Sequence, residues 1–261
     1  MTKRLPESDA RSMPSMPDAI LLCGGAGLRL RSITANAPKA MARIGGRPFL
    51  ELPLRQLRRH RFQRVILAVS YQQDIIRSHF GERAFGLELK YSAESSPLGT
   101  GGALRNAADV VQSEKVLVMN GDSYTDADLN RLMLKHDETK ADVSMVVVPA
   151  DERSDCGSVF VDASGNLAQF AEKQRSCGAR YINAGIYVLS RHILDLIPAG
   201  IQVSLEEELF PRWMQNGACI KAFFHSGTCV DIGTPDRYQV AQQVLADVER
   251  EAAESIVGLG E

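Results

Sequence analysis

Short apolar runs alternate with stretches in which apolar residues recur every three or four positions. Strands and amphipathic helices taken in turn give that pattern, and it predicts a mostly parallel α/β sheet. Residues 19–23, all apolar, predict a buried strand that empties into a glycine-rich turn. Leu50, Leu54 and Leu57 then share one helical face, a strand follows over 64–70, and a helix lies around 74–80. A further strand is predicted at 87–91, and a helix begins near Gly101. It leads to a buried strand at 116–119 that ends in Asn120-Gly121-Asp122.

After a strand over 143–148 the rhythm changes. Apolar runs at 157–161 and 167–170 flank Asp162-Ala163-Ser164-Gly165-Asn166, which signals a hairpin. Another strand is predicted at 181–189. Ser204, with Glu207 three residues on, forms a capping box for a helix to about 214. Thr234-Pro235 supplies the N-cap and first-turn proline of a last helix, about 234–251. Residues 1–17, with three prolines and mixed charges, are expected to be a flexible tail before a single domain at 18–251.

Composition changes this picture little. The chain has 261 residues, long enough to bury a sizeable core, and its 44% hydrophobic and 24% charged residues exclude disorder for its body. A formal net charge of −2 disfavours nucleic acid or an acidic membrane surface as a partner. No apolar stretch is long enough for a membrane helix and no signal core is present at the start. Cys23, Cys156, Cys177, Cys219 and Cys229 are scattered and odd in number, without metal-ligand spacing. A reducing, cytoplasmic setting fits them.

Chemistry concentrates at the first turn. Gly24-Gly25-Ala26-Gly27-Leu28-Arg29-Leu30 follows the strand, and Pro38-Lys39 follows soon after. Near-adjacent glycines let main-chain N–H groups approach an anion, the next helix start adds its positive dipole end, and Arg29 and Lys39 add mobile charge. The dinucleotide fingerprint needs a glycine where Leu30 stands, and the P-loop needs a Gly-Lys-Ser/Thr that occurs nowhere, so the turn is a different polyphosphate device.

Asp122 ends an apolar run beside Gly121, Asp231 lies between an apolar residue and a glycine at a strand-to-helix junction, and a carboxylate facing a phosphate loop calls for a divalent cation between them. Each could instead simply cap local backbone. The second glycine-dense loop, Pro97-Leu98-Gly99-Thr100-Gly101-Gly102-Ala103, offers backbone donors and room for a base or ribose. Glu94, just ahead of it, has the two acceptors that the N1–H and amine edge of guanine would use, unless it is a solvated strand-end residue. Lys173, after Glu172, could reach a monophosphate, and Asn183-Ala184-Gly185 suits hydroxyl recognition or an edge-strand bulge.

Together these motifs, in this order over about 18–245, resemble the sugar-1-phosphate nucleotidyltransferases, and among them the D-glycero-D-manno-heptose 1-phosphate guanylyltransferases. The narrower likeness rests on 97–103, 181–187 and Ser204-Leu205-Glu206 before Leu209-Phe210-Pro211. The resemblance implies a Rossmann-like, mostly parallel mixed sheet flanked by helices, the nucleotide-diphospho-sugar transferase fold. Its nucleotide-binding half would be about 18–125 and its sugar-binding half about 126–235. It implies GTP and a sugar 1-phosphate as substrates, Mg2+ as cofactor, and a GDP-sugar for surface polysaccharide as product, made by a chain that a homodimer would suit. Leu22, Gly24, Gly25, Gly27, Arg29, Lys39, Glu94, Gly99, Thr100 and Asp122 would bind the nucleotide. Asp122, Gly157, Glu172, Lys173 and Asn183 would bind the sugar, Arg29, Lys39 and Lys173 would be catalytic, and Asp122 and Asp231 would hold the metal. Mannose 1-phosphate or UTP are the alternative substrates. Two departures stand out: Leu28 replaces the usual threonine, a feature on which a non-catalytic nucleotide-binding relative would rest, and Ala40 replaces the usual proline.

Overall fold

The apolar runs of the first half form the middle of one sheet, and the polar ends of those runs gather at one of its edges. A computed structural model describes residues 16–25, 27–35, 37–70, 72–150, 157–171 and 179–257. In chain order its strands are β1 (Asp18–Leu22), β2 (Arg43–Ile44), β3 (Arg47–Pro48), β4 (Arg64–Val69), β5 (Arg83–Ala84), β6 (Leu87–Ala93) and β7 (Lys115–Asn120). Then come β8 (Ser123–Thr125), β9 (Val143–Pro149), β10 (Ser158–Val161), β11 (Leu167–Ala171), β12 (Tyr181–Ser190), β13 (Ile220–Phe224) and β14 (Cys229–Asp231). The α-helices are α1 (Arg31–Thr34), α2 (Glu51–Arg59), α3 (Gln73–Phe80), α4 (Gly99–Ala108), α5 (Leu129–Thr139), α6 (Arg191–Asp195), α7 (Phe210–Gln215) and α8 (Pro235–Val257).

Strand β1 lies between β4 and β7, parallel to both, and β6 adds in parallel beyond β4. The winding therefore runs outward from β1 through β4 and β6, then resumes on the other side of β1 with β7. Alternate residues of β1 feed opposite layers, Ala19 and Leu21 into one core and Ile20 into the other. All three are fully buried, and each large apolar side chain so placed contributes roughly 1.5–3 kcal/mol. Leu50, Leu54 and Leu57 pack under α2 as their spacing predicts.

Beyond β7 the sheet turns antiparallel. β12 pairs with β7 over 186–190 and, on the same side, with β10 at 181–182, while β9 lines its other side and β13 runs parallel to β9. The ten-stranded sheet thus crosses both halves of the chain. The hairpin expected around 162–166 is the β10–β11 pair. Asn183 to Gly185 lie where β12 passes from β7 to β10, in the sheet interior. The register shift there is a bulge, but one on an inner strand and not on an edge.

Several boundaries differ from expectation: α8 runs to Val257, beyond the expected end near 251, and β6 runs to Ala93. α4 starts at Gly99, two residues earlier than predicted, with Leu98 as its N-cap. Ser204 does cap Glu207 N–H, but the carboxylate that returns to the Ser204 N–H belongs to Glu208. The first turn, Leu205–Leu209, is π-wound, and the wider turn brings the fourth residue round to where the third would stand. The short pairs β2–β3 and β8–β14 carry too few residues for a period and were not predicted. A third core of Leu30, Ile44, Phe49, Tyr124, Val230, Ile232, Ala241 and Leu245 fastens α8 and β14 to them.

Candidate active site

Reversal of the winding at β1 and β7 leaves a crevice beyond the carboxyl ends of these strands, where open α/β sheets bind ligands. Two adjoining cavities fill it. The first, about 600 Å3, is lined by Leu22, Gly24, Gly25, Ser70, Glu94, Ser95, Pro97 and Gln202 among others. The second, about 440 Å3, is lined by Arg29, Lys39, Gly157, Asn183, Gly185, Glu206, Asp231 and Arg237 among others. Gly99, Thr100, Asn120 and Asp122 belong to both. The second cavity opens where β12 leaves β7, so the fork in the sheet makes the space that Asn183 and Gly157 border.

Most of the predicted residues therefore meet at one place. Leu22, Gly24, Gly25, Glu94, Gly99, Thr100 and Asp122 face the first cavity, and Arg29, Lys39, Gly157, Asn183 and Asp231 face the second. Glu172 and Lys173 lie outside the described residues. Gly27 lines neither cavity. A Cβ on it would come within 3.0 Å of the Lys39 Cβ, so its smallness seats Lys39.

The second glycine loop works differently from its expected role. Gly101 and Gly102 N–H groups are already bonded to the Val203 carbonyl at 2.9 and 3.3 Å. A Cβ on Gly99, whose φ is +71°, would stand 2.7 Å from that same carbonyl oxygen. These glycines admit the 201–203 segment against α4, and the Gly101 and Gly102 N–H groups are not spare donors for a ligand.

Charge at the shared wall is arranged in pairs. Lys39 Nζ donates to Asp122 Oδ2 at 2.5 Å. Asp231 Oδ1 accepts from Gly233 N at 2.7 Å and from Arg237 at 3.1 Å. The β8–β14 ladder sets Asp231 opposite Ser123, the neighbour of Asp122, and Ile232 N–H donates to the Asp122 carbonyl at 3.0 Å. Arg29 is exposed at the mouth, with no charged partner among the described residues.

Two carboxylates, both partly open to the cavity, make a hard oxygen donor set of the kind that holds magnesium together with phosphate oxygens and water. Among the described residues no group of three His, Cys, Asp or Glu side chains forms a closed metal cage. The donor chemistry of Asp122 and Asp231 is of the type that could hold magnesium.

Glu94 is half-buried, and its Oε2 accepts from Leu98 N–H at 3.2 Å. Burial raises its pKa, and that hydrogen bond opposes the rise. Asn183 Nδ2 donates to Tyr187 Oη at 2.6 Å and its Oδ1 accepts from Gly185 N–H, so the amide holds its own strand while bordering the cavity.

Three wall residues escaped sequence reasoning. Asn120, the first residue of Asn120-Gly121-Asp122, has a buried Oδ1 with no hydrogen-bond partner among the described residues, and its place at a strand end was the available signal. Arg237 had only a helix-start position to mark it, and Glu206 stood in the Ser204-Leu205-Glu206 motif without a role of its own.

A family model described as "Nucleotidyl transferase" matches residues 18–248. The chain belongs to the nucleotidyl transferase family. A D-glycero-alpha-D-manno-heptose 1-phosphate guanylyltransferase of Aneurinibacillus thermoaerophilus is 34% identical over 229 residues, which are 87% of this chain and 98% of that one. The Campylobacter jejuni enzyme of that name is 37% identical over 84% of this chain and 96% of its own. A Mycobacterium tuberculosis mannose-1-phosphate guanylyltransferase is also 37% identical, but this chain spans only 62% of its length. The crystal structure of HddC from Yersinia pseudotuberculosis, complexed with GMP-PN, superposes with a TM-score of 0.77 at 32% identity, covering 88% of this chain and 100% of that one.

Cys23, which follows β1 at the glycine turn, is buried. Burial, and then the charge of Asp122, push its pKa far up, so it stays protonated.

Proposed function

We propose that this protein transfers the guanylyl group of GTP to D-glycero-α-D-manno-heptose 1-phosphate, releasing pyrophosphate and giving a GDP-sugar. The observation that carries the reading is the pair of adjoining cavities sharing Asp122 and Asn120, with Arg29 and Lys39 lining the second and Lys39 bonded to the shared Asp122. The heptose 1-phosphate guanylyltransferases, matched over nearly their whole length, support this choice of substrate.

A phosphate oxygen of the sugar 1-phosphate attacks the α-phosphorus of GTP, and the bond from that phosphorus to the bridging oxygen breaks. The electron pair leaves with pyrophosphate. The attacking oxygen is already anionic, so no side-chain nucleophile or base is required. The chain's task is to bring two anions together and offset the charge on the departing group. Arg29 and Lys39 supply cations on the triphosphate side, and Lys173 is assigned to the sugar phosphate. Glu94 is assigned to the guanine edge, and Gly157, Glu172 and Asn183 to the sugar. Asp122 and Asp231 would hold magnesium, which supplies charge neutralisation when bound.

We place the reaction in the cytoplasm, in surface polysaccharide synthesis. Among the described residues no helix is long and apolar enough to cross a membrane. Mannose 1-phosphate is the second reading, favoured by the mycobacterial relative. Crossing a panel of sugar 1-phosphates with the four nucleoside triphosphates, while following pyrophosphate, tests both. Highest kcat/KM for GTP with the heptose phosphate is expected, and preference for UTP would overturn the assignment.

A further inference from the structure

Glu206 stands in the wall of the second cavity, and its carboxylate takes four hydrogen bonds, one of them from its own backbone N–H and two of them long. Oε2 accepts a good hydrogen bond from Thr100 Oγ1 at 2.6 Å and a long one from Ser204 Oγ at 3.4 Å. The side-chain donor to Oε1 is the Tyr187 hydroxyl at 3.4 Å, at the outer limit of a hydrogen bond. That hydroxyl also receives Asn183 Nδ2 at 2.6 Å. A carboxylate has about four acceptor sites, two of which are here met only at 3.4 Å and so stay open to a better donor, and among the described residues no Lys, Arg or His pairs with Glu206. Burial accordingly raises its pKa against the hydrogen bonds that lower it.

An anion so placed needs a neutral donor. It would repel phosphate oxygens, and the cations Arg29 and Lys39 that receive phosphate belong to other walls of the cavity. A sugar hydroxyl supplies a donor without charge.

We infer that Glu206 accepts a hydrogen bond from a ring hydroxyl of the acceptor sugar through Oε1 and so selects sugars by the orientation of that hydroxyl. This rests on the GDP-sugar reading and deepens it. Thr100 ties the contact to the nucleotide side. Its hydroxyl donates to Glu206 and accepts Leu205 N–H at 2.8 Å, and Thr100 borders both cavities. Glu206 and the wall shared with the first cavity are thereby joined through one side chain.

The test compares wild type and Glu206→Gln on D-glycero-α-D-manno-heptose 1-phosphate and its monodeoxy analogues, with thermal melting to verify the fold. In the wild type, removing one particular hydroxyl is expected to lower kcat/KM about 10- to 100-fold, the usual loss when a charged partner is left unpaired. In Glu206→Gln the KM for the full substrate rises by a similar factor, the KM for GTP changes little, and the penalty for that deoxy analogue shrinks toward onefold. Should the Gln protein fail to fold, Glu206→Asp and the wild-type deoxy series stand in. An equal deoxy penalty in wild type and variant, or no penalised position in the wild type, overturns the role of Glu206. Absence of pyrophosphate release from any sugar 1-phosphate would instead overturn the GDP-sugar reading.

Discussion

Lys39 Nζ lies 2.5 Å from Asp122 Oδ2, although 83 positions separate the two residues in the chain. The lysine is largely buried and the aspartate partly open, so the pair holds a cation at the junction of the two cavities, ready to exchange a carboxylate for a phosphate. Lys39→Gln should therefore lower turnover by on the order of a hundredfold, as loss of a preorganised charge does elsewhere, with the melting temperature little changed. Arg29→Ala should act similarly. Pyrophosphate release at saturating substrates checks both, and wild-type turnover in either would remove that cation from the reaction.

Asp122 and Asp231 give opposite expectations from Arg237. Asp122→Asn and Asp231→Asn should raise the magnesium concentration for half-maximal activity by at least tenfold. Arg237 competes for Asp231 from two contacts at 3.1 Å, so Arg237→Gln should lower it. Magnesium titration, with manganese binding followed by electron paramagnetic resonance, decides the matter. Three unchanged titrations would take both carboxylates out of the metal site.

Gly185 should not tolerate a side chain. Its φ is +73°, and a Cβ would stand 2.7 Å from Asn120 Nδ2 and 3.0 Å from Ser123 Oγ. Gly185→Ala is expected to destabilise the fold by about 1–3 kcal/mol and to displace Asn120 from the wall shared by the cavities. Urea unfolding gives the first quantity. A stable variant with full activity would show that the wall can yield.

Acid should weaken the fold through a residue far from the cavities. His136 is buried between Ser144 Oγ at 2.9 Å and Ser190 Oγ at 3.3 Å. Burial, with help from Lys115 and against Asp137 and Asp142, lowers its pKa to about 4. A depressed histidine pKa means the unfolded chain takes up the proton first. Stability is therefore full above the ordinary histidine value near 6.5, falls as pH drops toward about 4, and is level below that. The loss should approach ~3 kcal/mol at most. Denaturant midpoints measured across this range should show the slope in the wild type and a flatter one in His136→Gln.

What the chain order alone determined was everything with a short period or a local signal. The alternation of apolar runs placed β1, β4 and β7 and the α2 face of Leu50, Leu54 and Leu57, because burial on a strand or helix face repeats every two or every three to four residues. The glycine turn, Asp122 and Asp231 were visible since each ends a strand, and strand ends are where an open sheet meets its ligand. Tertiary structure decided the rest. Only the approach of 201–203 to α4 shows that Gly99 and Gly101 serve packing, and only the fork of β12 between β7 and β10 opens the second cavity. Glu206 meets Thr100 across 106 positions, and Asp231 stands opposite Ser123 through a three-residue strand. Such contacts leave no periodic trace, because a single side chain meeting another across the fold is set by how the layers pack and not by its neighbours in sequence.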